Sequence, residues 1–291
     1  MAGTVQYKGS SNYIVSDELR NSVNIAMALG KPLLIKGEPG TGKTMLARSI
    51  ADSLNKKLII WNIKSTTKAQ EGLYVYDTVQ RLYDSQFQDR DVADITQYIK
   101  LGKLGEAFQA EEQVILLIDE IDKADLEFPN DLLWELDQMS FYIPETKETV
   151  EAKQRPIVII TSNAEKELPD AFLRRCIFHY ISFPEPDAME KIIKVHHPRL
   201  EKHLLEQAMD TFYMLRNIPN IQKKPSTSEL IDWLQALVIG GISPNRIKQE
   251  LPFMGVLLKK NEDLDTLLNQ LYNKNQNKTQ PRMGGSFNHY R

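Results

Sequence analysis

Eight residues constrain this chain more than any other stretch: Gly37-Glu38-Pro39-Gly40-Thr41-Gly42-Lys43-Thr44. They fit G-x-x-x-x-G-K-[ST], the phosphate-binding P-loop pattern. Ahead of them, Pro32-Leu33-Leu34-Ile35-Lys36 reads as a short buried strand. Behind them, Leu46, Ala47, Ile50, Ala51 and Leu54 recur at helical spacing. The glycines therefore lie where a strand turns into a helix, which is the context the pattern needs. Glycine lets the backbone close on phosphate oxygens and take positive φ without a Cβ penalty. The N–H groups of the loop and of the first helical turn, which includes Met45, point at the anion. Lys43 adds a charge for the β- and γ-phosphates, and Thr44 offers a hydroxyl to Mg²⁺. A chance lysine in a glycine-rich turn is the rival reading; it leaves the flanking strand and helix unexplained.

Further apolar runs follow, and the ends of two carry polar groups. Leu58 to Trp61 is a second strand, and Leu73 to Tyr76 a short extended piece after the polar connection Ser65 to Gly72. Residues 77–110 read as interrupted helix, broken at Gly102 and Gly105. Val114-Ile115-Leu116-Leu117-Ile118 is unbroken and apolar, so it reads as a strand covered on both faces and hence parallel to its neighbours. It ends in Asp119-Glu120, at the sheet edge where such folds place ligands. Asp119 is then a Mg²⁺-shell residue and Glu120 the base that orients or deprotonates a water. The competing reading is a solvated acidic turn. Pro129 starts a helix to about Met139, and Phe141 to Ile143 with Thr149 to Ala152 read as a hairpin. Ile157 to Ile160 is the fourth strand, ending at Asn163, whose amide would reach the attacking water or the γ-phosphate unless it is a simple turn-former. Arg174 and Arg175 precede Cys176 and a fifth strand, Ile177 to Phe183. Arginines at a helix end are commonly solvated or bound to its last carbonyls.

Pro184-Glu185-Pro186 marks a boundary, beyond which Asp187 would cap a helix in a capping box with Glu190. The pattern is helical from there on, near 187–195, 201–216, 227–239, 244–260 and 263–272, with a second capping box at Ser226 and Glu229. The domains expected are thus a nucleotide-binding core over 1–185, a helical lid over 186–272 and a disordered tail over 273–291. A 42% hydrophobic and 26% charged composition is that of an ordinary soluble protein, and a net charge of −3 speaks against a surface built to grip nucleic acid. The one cysteine, Cys176, cannot form an internal disulfide. The five histidines are scattered without metal-ligand spacing. With no secretory h-region in Met1 to Ser11 and no membrane-length apolar run, the expected location is cytoplasmic.

The order of P-loop, Asp119-Glu120, hairpin, Asn163, Arg174-Arg175 and helical lid resembles the AAA+ ATPases. The hairpin before the Asn163 strand and the lengthened connection after Trp61 resemble the MoxR branch. The resemblance spans about residues 12–272. It implies a five-stranded parallel sheet between helices with an all-helical lid, binding and hydrolysing ATP with Mg²⁺. It also implies Asn163 at the sensor-1 position and Arg175 as the arginine finger, with Arg174 the register alternative. In the lid, Gly241-Ile242-Ser243-Pro244-Asn245-Arg246 is similar to the MoxR sensor-2 stretch. Asn245 stands where the family has arginine, so Arg246 takes the assignment, with a plain surface arginine as its rival. Family members form rings, usually hexamers, and act as remodelling chaperones in the maturation of metalloenzymes and other complexes. They often have a partner carrying a von Willebrand factor A domain. Two other functions share the same core: a nucleic-acid or restriction-type NTPase motor, and a scaffold that ATP merely locks. No base-reading motif separates ATP from GTP, and the residues name neither client nor ring size.

Overall fold

The computed structural model describes residues 6–87, 92–163 and 165–279, with 271–279 by backbone alone. The chain divides into two compact units, with the division between Val195 and His196. The expected boundary at 185/186 lies ten residues earlier, because the helix after Pro184 groups with the first unit.

The first unit begins with α1 (Asp17–Leu29), capped by Ser16, whose side chain accepts the Leu19 N–H, and ended by Gly30 at φ 60°. β1 (Leu33–Gly37), α2 (Lys43–Leu54) and β2 (Leu58–Asn62) follow. Next come α3 (Ala69–Leu73), β3 (Tyr74–Tyr76), α4 (Thr78–Phe87), β4 (Ile99–Leu101) and α5 (Lys103–Phe108). β5 (Ile115–Asp119) leads through a 3₁₀ turn, Ile121–Lys123, to α6 (Phe128–Asp131) and α7 (Leu133–Gln138). The hairpin β6 (Ser140–Ile143) and β7 (Glu148–Glu151) precedes β8 (Ile157–Ser162), α8 (Asp170–Leu173), β9 (Ile177–Ile181) and α9 (Pro186–His196).

Five strands form one parallel sheet in the order β2-β5-β8-β1-β9. Unbroken apolar runs make this possible, because alternate residues point to opposite faces and both faces are covered. Leu34, Leu116, Ile118, Val158 and Ile160 face one core layer, packed with Phe108, Phe128 and Phe141. Leu33, Ile35, Ile115, Leu117, Ile157 and Ile159 face the other, packed with Val23 of α1 and Leu46 and Ile50 of α2. The carboxyl ends of β1, β5 and β8 (Gly37, Asp119 and Ser162) meet along one edge of the sheet.

Several local expectations are corrected. The polar connection before Tyr74 contains α3, and Gly72 within it lies under Trp61: a Cβ there would come within 2.1 Å of the indole. Within 77–110, Ile99–Leu101 forms β4, antiparallel to β3; a three-residue run is too short for periodicity to separate strand from helix. The helix from Pro129 is two pieces, α6 and α7. Asp187 is not a cap but a first-turn residue of α9. Tyr74, in the short extended piece, is buried: it stacks on Phe141 with ring centroids 6.1 Å apart and donates to Glu145 Oε2 at 2.8 Å. α4 is turned the other way round. Its Asp84 is buried and accepts from Gln80 (2.8 Å) and Tyr98 (3.1 Å), whereas Val79, Leu82 and Phe87 are 78%, 58% and 71% exposed.

The second unit holds α10 (Lys202–Arg216), α11 (Thr227–Ile239), α12 (Pro244–Glu250), α13 (Met254–Leu257) and α14 (Asn261–Thr279). The Ser226–Glu229 capping box is formed. The expected helix over 244–260 is broken, because Leu251 and Phe253 take positive φ around Pro252, which cannot donate an N–H. α14 runs past residue 272 to Thr279, since no glycine or proline interrupts it before Pro281; the rest of the expected tail, 280–291, lies outside the described residues. Trp233 is fully buried and donates to the Pro252 carbonyl at 2.8 Å. No described helix is long and apolar enough to cross a membrane.

Replacing Tyr74 with Ala is expected to destabilise the first unit by about 3 kcal/mol, as aromatic truncations in cores do. Urea unfolding followed by far-UV circular dichroism measures this. Tyr74→Phe, which loses only the bond to Glu145, should cost about 1 kcal/mol.

Candidate nucleotide site

The loop from Gly37 to Gly42 is shaped by its glycines. Gly40 and Gly42 take φ of 76° and 86°, where side chains are strained. Gly37 has ordinary φ but no room: a Cβ there would lie 2.6 Å from the Ile181 carbonyl oxygen of β9. Thr41 Oγ1 donates to the Glu38 carbonyl at 2.9 Å, closing the loop on itself. Lys43 is 6% exposed and donates to the carbonyls of Gly37 and Glu38, both at 2.9 Å. Burial pulls its ammonium below the usual lysine pKa, and Asp122, Asp119, Glu120 and Glu38 act against that shift. The Tyr13 ring flanks the loop, 3.3 Å from where a Gly42 Cβ would be. The segment carrying it is tied to α2, because Ser49 Oγ bonds both the Tyr7 hydroxyl (2.6 Å) and the Ser10 hydroxyl (2.8 Å).

Parallel pairing brings the end of β5 beside the loop. Thr44 Oγ1 donates to both Asp119 oxygens at 3.1 Å. A hydroxyl and a carboxylate side by side form a hard oxygen set suited to Mg²⁺, which takes one or two protein ligands and completes its shell with phosphate and water. Among the described residues no cluster of His, Cys, Asp and Glu offers an all-protein metal cage.

Glu120 stands next, at φ 59° and ψ 51°. This left-handed conformation is uncommon for a non-glycine residue. It is held by Thr161, which accepts the Glu120 N–H at 2.8 Å and donates to Asp119 Oδ1 at 2.6 Å. One Glu120 oxygen accepts from the Asn163 amide at 3.0 Å, and the other from Lys123 Nζ. The contact with Glu120 raises the Lys123 ammonium above its ordinary pKa. So Thr44, Asp119, Glu120 and Asn163 converge, and Thr161, Asp122 and Lys123 join them. Thr161 was legible in principle: a polar residue ending a buried strand needs a partner.

Arg175 donates to Asp137 Oδ2 at 2.5 Å and to the Ala171 carbonyl at 2.9 Å, the latter being a helix-end carbonyl. Arg174 is exposed and forms no ion pair among the described residues. Neither arginine bonds the loop or the acidic pair of its own chain. Arg246, on α12 of the second unit, is forked onto Glu250 at 2.7 and 2.6 Å, while Asn245 is exposed. Met45 is 41% exposed on the first turn of α2. Glu38 is half-buried and Pro39 exposed on the loop.

Residues 32–176 match the family model described as an AAA domain of the dynein-related subfamily. The strand order and the loop agree with this match: the core has the P-loop α/β architecture of an AAA domain. Among curated relatives, the Lon protease of Finegoldia magna is 30% identical over 193 residues, covering 62% of this chain and 22% of that protein. Midasin of Dictyostelium discoideum is 36% identical over 53 residues, which is 18% of this chain and 1% of midasin. A mitochondrial Lon protease homolog of Debaryomyces hansenii is 33% identical over 97 residues, 33% of this chain and 8% of that protein. The chain therefore spans a fifth or less of the length of most of these relatives, and 22% of the longest match.

Thr161→Val keeps the shape of the side chain but leaves the Glu120 N–H without its acceptor. It should cost ~1–3 kcal/mol, read as a lower urea midpoint of the first unit.

Proposed function

We propose that this protein is an ATP-hydrolysing, ring-forming remodeller of the MoxR type. The observation that carries the reading is the convergence of Thr44 and Asp119 with Glu120 and Asn163 at one sheet edge beside Lys43. Lys43 and the loop N–H groups bind the β- and γ-phosphates. Thr44 and Asp119 hold Mg²⁺, which supplies neutralising charge for phosphoryl transfer. Asn163 and Glu120 orient a water in line with the γ-phosphate, and a Glu120 oxygen takes its proton. For that, Lys123 gives up its hold on Glu120. Arg175 completes the site from a neighbouring subunit, with Arg174 as the register alternative; the lack of any bond from either to its own chain's phosphate loop supports a role in trans. Arg246 is the lid's candidate contact to nucleotide.

The remodelling role rests on the family resemblance and on the uncharged apolar residues that α4 presents outward. A hexameric ring, a von Willebrand factor A partner and a part in metalloenzyme or complex maturation belong to the same proposal. The net charge of −3 disfavours the nucleic-acid motor, and the tethered Glu120 disfavours an ATP-locked scaffold, which has no use for a base.

Lys43→Ala should abolish ATP binding in equilibrium fluorescence titration. Glu120→Gln should bind ATP with near-normal affinity and release phosphate at least ~100-fold more slowly. Wild-type turnover by Glu120→Gln would refute the assignment.

Arg175→Ala is expected to bind ATP yet hydrolyse it ~10³-fold more slowly. Mixed with Glu120→Gln after subunit exchange is verified by fluorescence transfer, it should recover activity above the sum of the two pure variants. Full activity of Arg175→Ala would move the role to Arg174.

A further inference from the structure

Asp122 is 2% exposed, although it carries a carboxylate and lies two residues from Glu120. It belongs to the 3₁₀ turn after β5, but its oxygens bond elsewhere. Oδ1 accepts the Asn163 N–H at 3.3 Å, and Oδ2 accepts the Glu165 N–H at 2.9 Å. Turn-forming aspartates bond backbone groups about two residues on; these partners are 41 and 43 residues away in sequence. A second tie runs in the opposite direction. Lys166 Nζ donates to the Ala124 carbonyl at 2.8 Å and to the Lys123 carbonyl at 3.4 Å. The turn after β5 and the loop after β8 are therefore zipped together by side chains, beyond the last backbone pairing of the two strands.

We propose that Asp122 is a positioning residue for hydrolysis: it fixes the backbone at Asn163 so that the Asn163 amide meets Glu120 Oε1. The argument is geometric. Asn163 follows the end of β8, and its backbone has no sheet partner to hold it. Asp122 supplies that hold through a half-buried, charge-assisted pair of hydrogen bonds. Asn163 then carries the constraint to Glu120 through its 3.0 Å bond. Asp122 acts through Asn163, whose N–H it accepts, rather than on the reacting atoms. The inference rests on the proposed reading of Glu120 and Asn163 as the water-orienting pair.

Asp122→Asn keeps the shape and one acceptor oxygen, so at most one of the two loop amides stays bonded; Asp122→Ala loses both. The full-length protein is assayed for phosphate release over a range of ATP, alongside amide hydrogen exchange at Asn163 and Glu165. Asp122→Asn is expected to lower kcat ~10- to 100-fold, the scale of a small misplacement near the chemistry, with KM for ATP unchanged and faster exchange at these amides. In an Asn163→Ala background the same substitution should add no further loss, because the two residues act in one path. An equal loss in both backgrounds, or an unchanged kcat despite faster exchange, overturns the proposal. Asp122→Asn carries the test if Asp122→Ala does not fold. If the wild-type protein hydrolyses no ATP, the reading of the site fails on its own. The exchange arm then still decides whether Asp122 pins the loop: unchanged protection refutes it, and lost protection supports it.

Discussion

Everything in this site depends on parallel, in-register pairing of three neighbouring strands. β5 pairs with β8 and β8 with β1, so Ile118, Ile160 and Leu34 share one row across the sheet. Parallel strands end on the same side, and the groups just past those ends come together without any loop having to search for them. The glycine loop follows β1, the acidic pair β5, and the amide β8. The geometry of the site is a by-product of apolar runs that must be buried on both faces.

Pairing alone leaves the chain free once each strand ends, and side chains take over at that point. Thr161 reaches across to Asp119 and Glu120, Asp122 to the loop of Asn163, and Lys166 back to the turn carbonyls. Each bond joins segments about forty residues apart. The strain of Glu120 at positive φ is tolerated because its N–H has a fixed acceptor. The Glu120 carboxylate is thus set by a net of weak polar contacts laid over a strong apolar frame.

The sequence made the frame readable because its signals are local. The strands at Leu33, Ile115 and Ile157 are continuous apolar runs, and the glycine loop has a spacing that few other structures need. The tertiary ties were not readable. Nothing near Asp122 in the sequence points to an amide 41 residues away, and Lys123 reads as an ordinary surface lysine. β4 escaped because three residues carry no period, and the break at Leu251 because Pro252 was masked by helical spacing on either side. Tyr74 and α4 show a different limit: tyrosine suits a core and a surface equally, and only packing decides. α4 buries an aspartate and displays its valine, leucine and phenylalanine, the reverse of what its amphipathic pattern suggests for a solvated helix.

The contact of Gly37 with the Ile181 carbonyl has a mechanical meaning. It is a bearing surface between the mouth of the phosphate loop and the final residue of β9. Beyond Ile181 the chain runs Ser182-Phe183-Pro184-Glu185-Pro186 into α9, and the two prolines fix φ and stiffen the link. With no side chain between the two backbones, the loop mouth and the end of β9 meet directly, and a side chain at Gly37 would force them apart. The glycine loop is thereby seated directly on the strand from which the chain leaves the sheet.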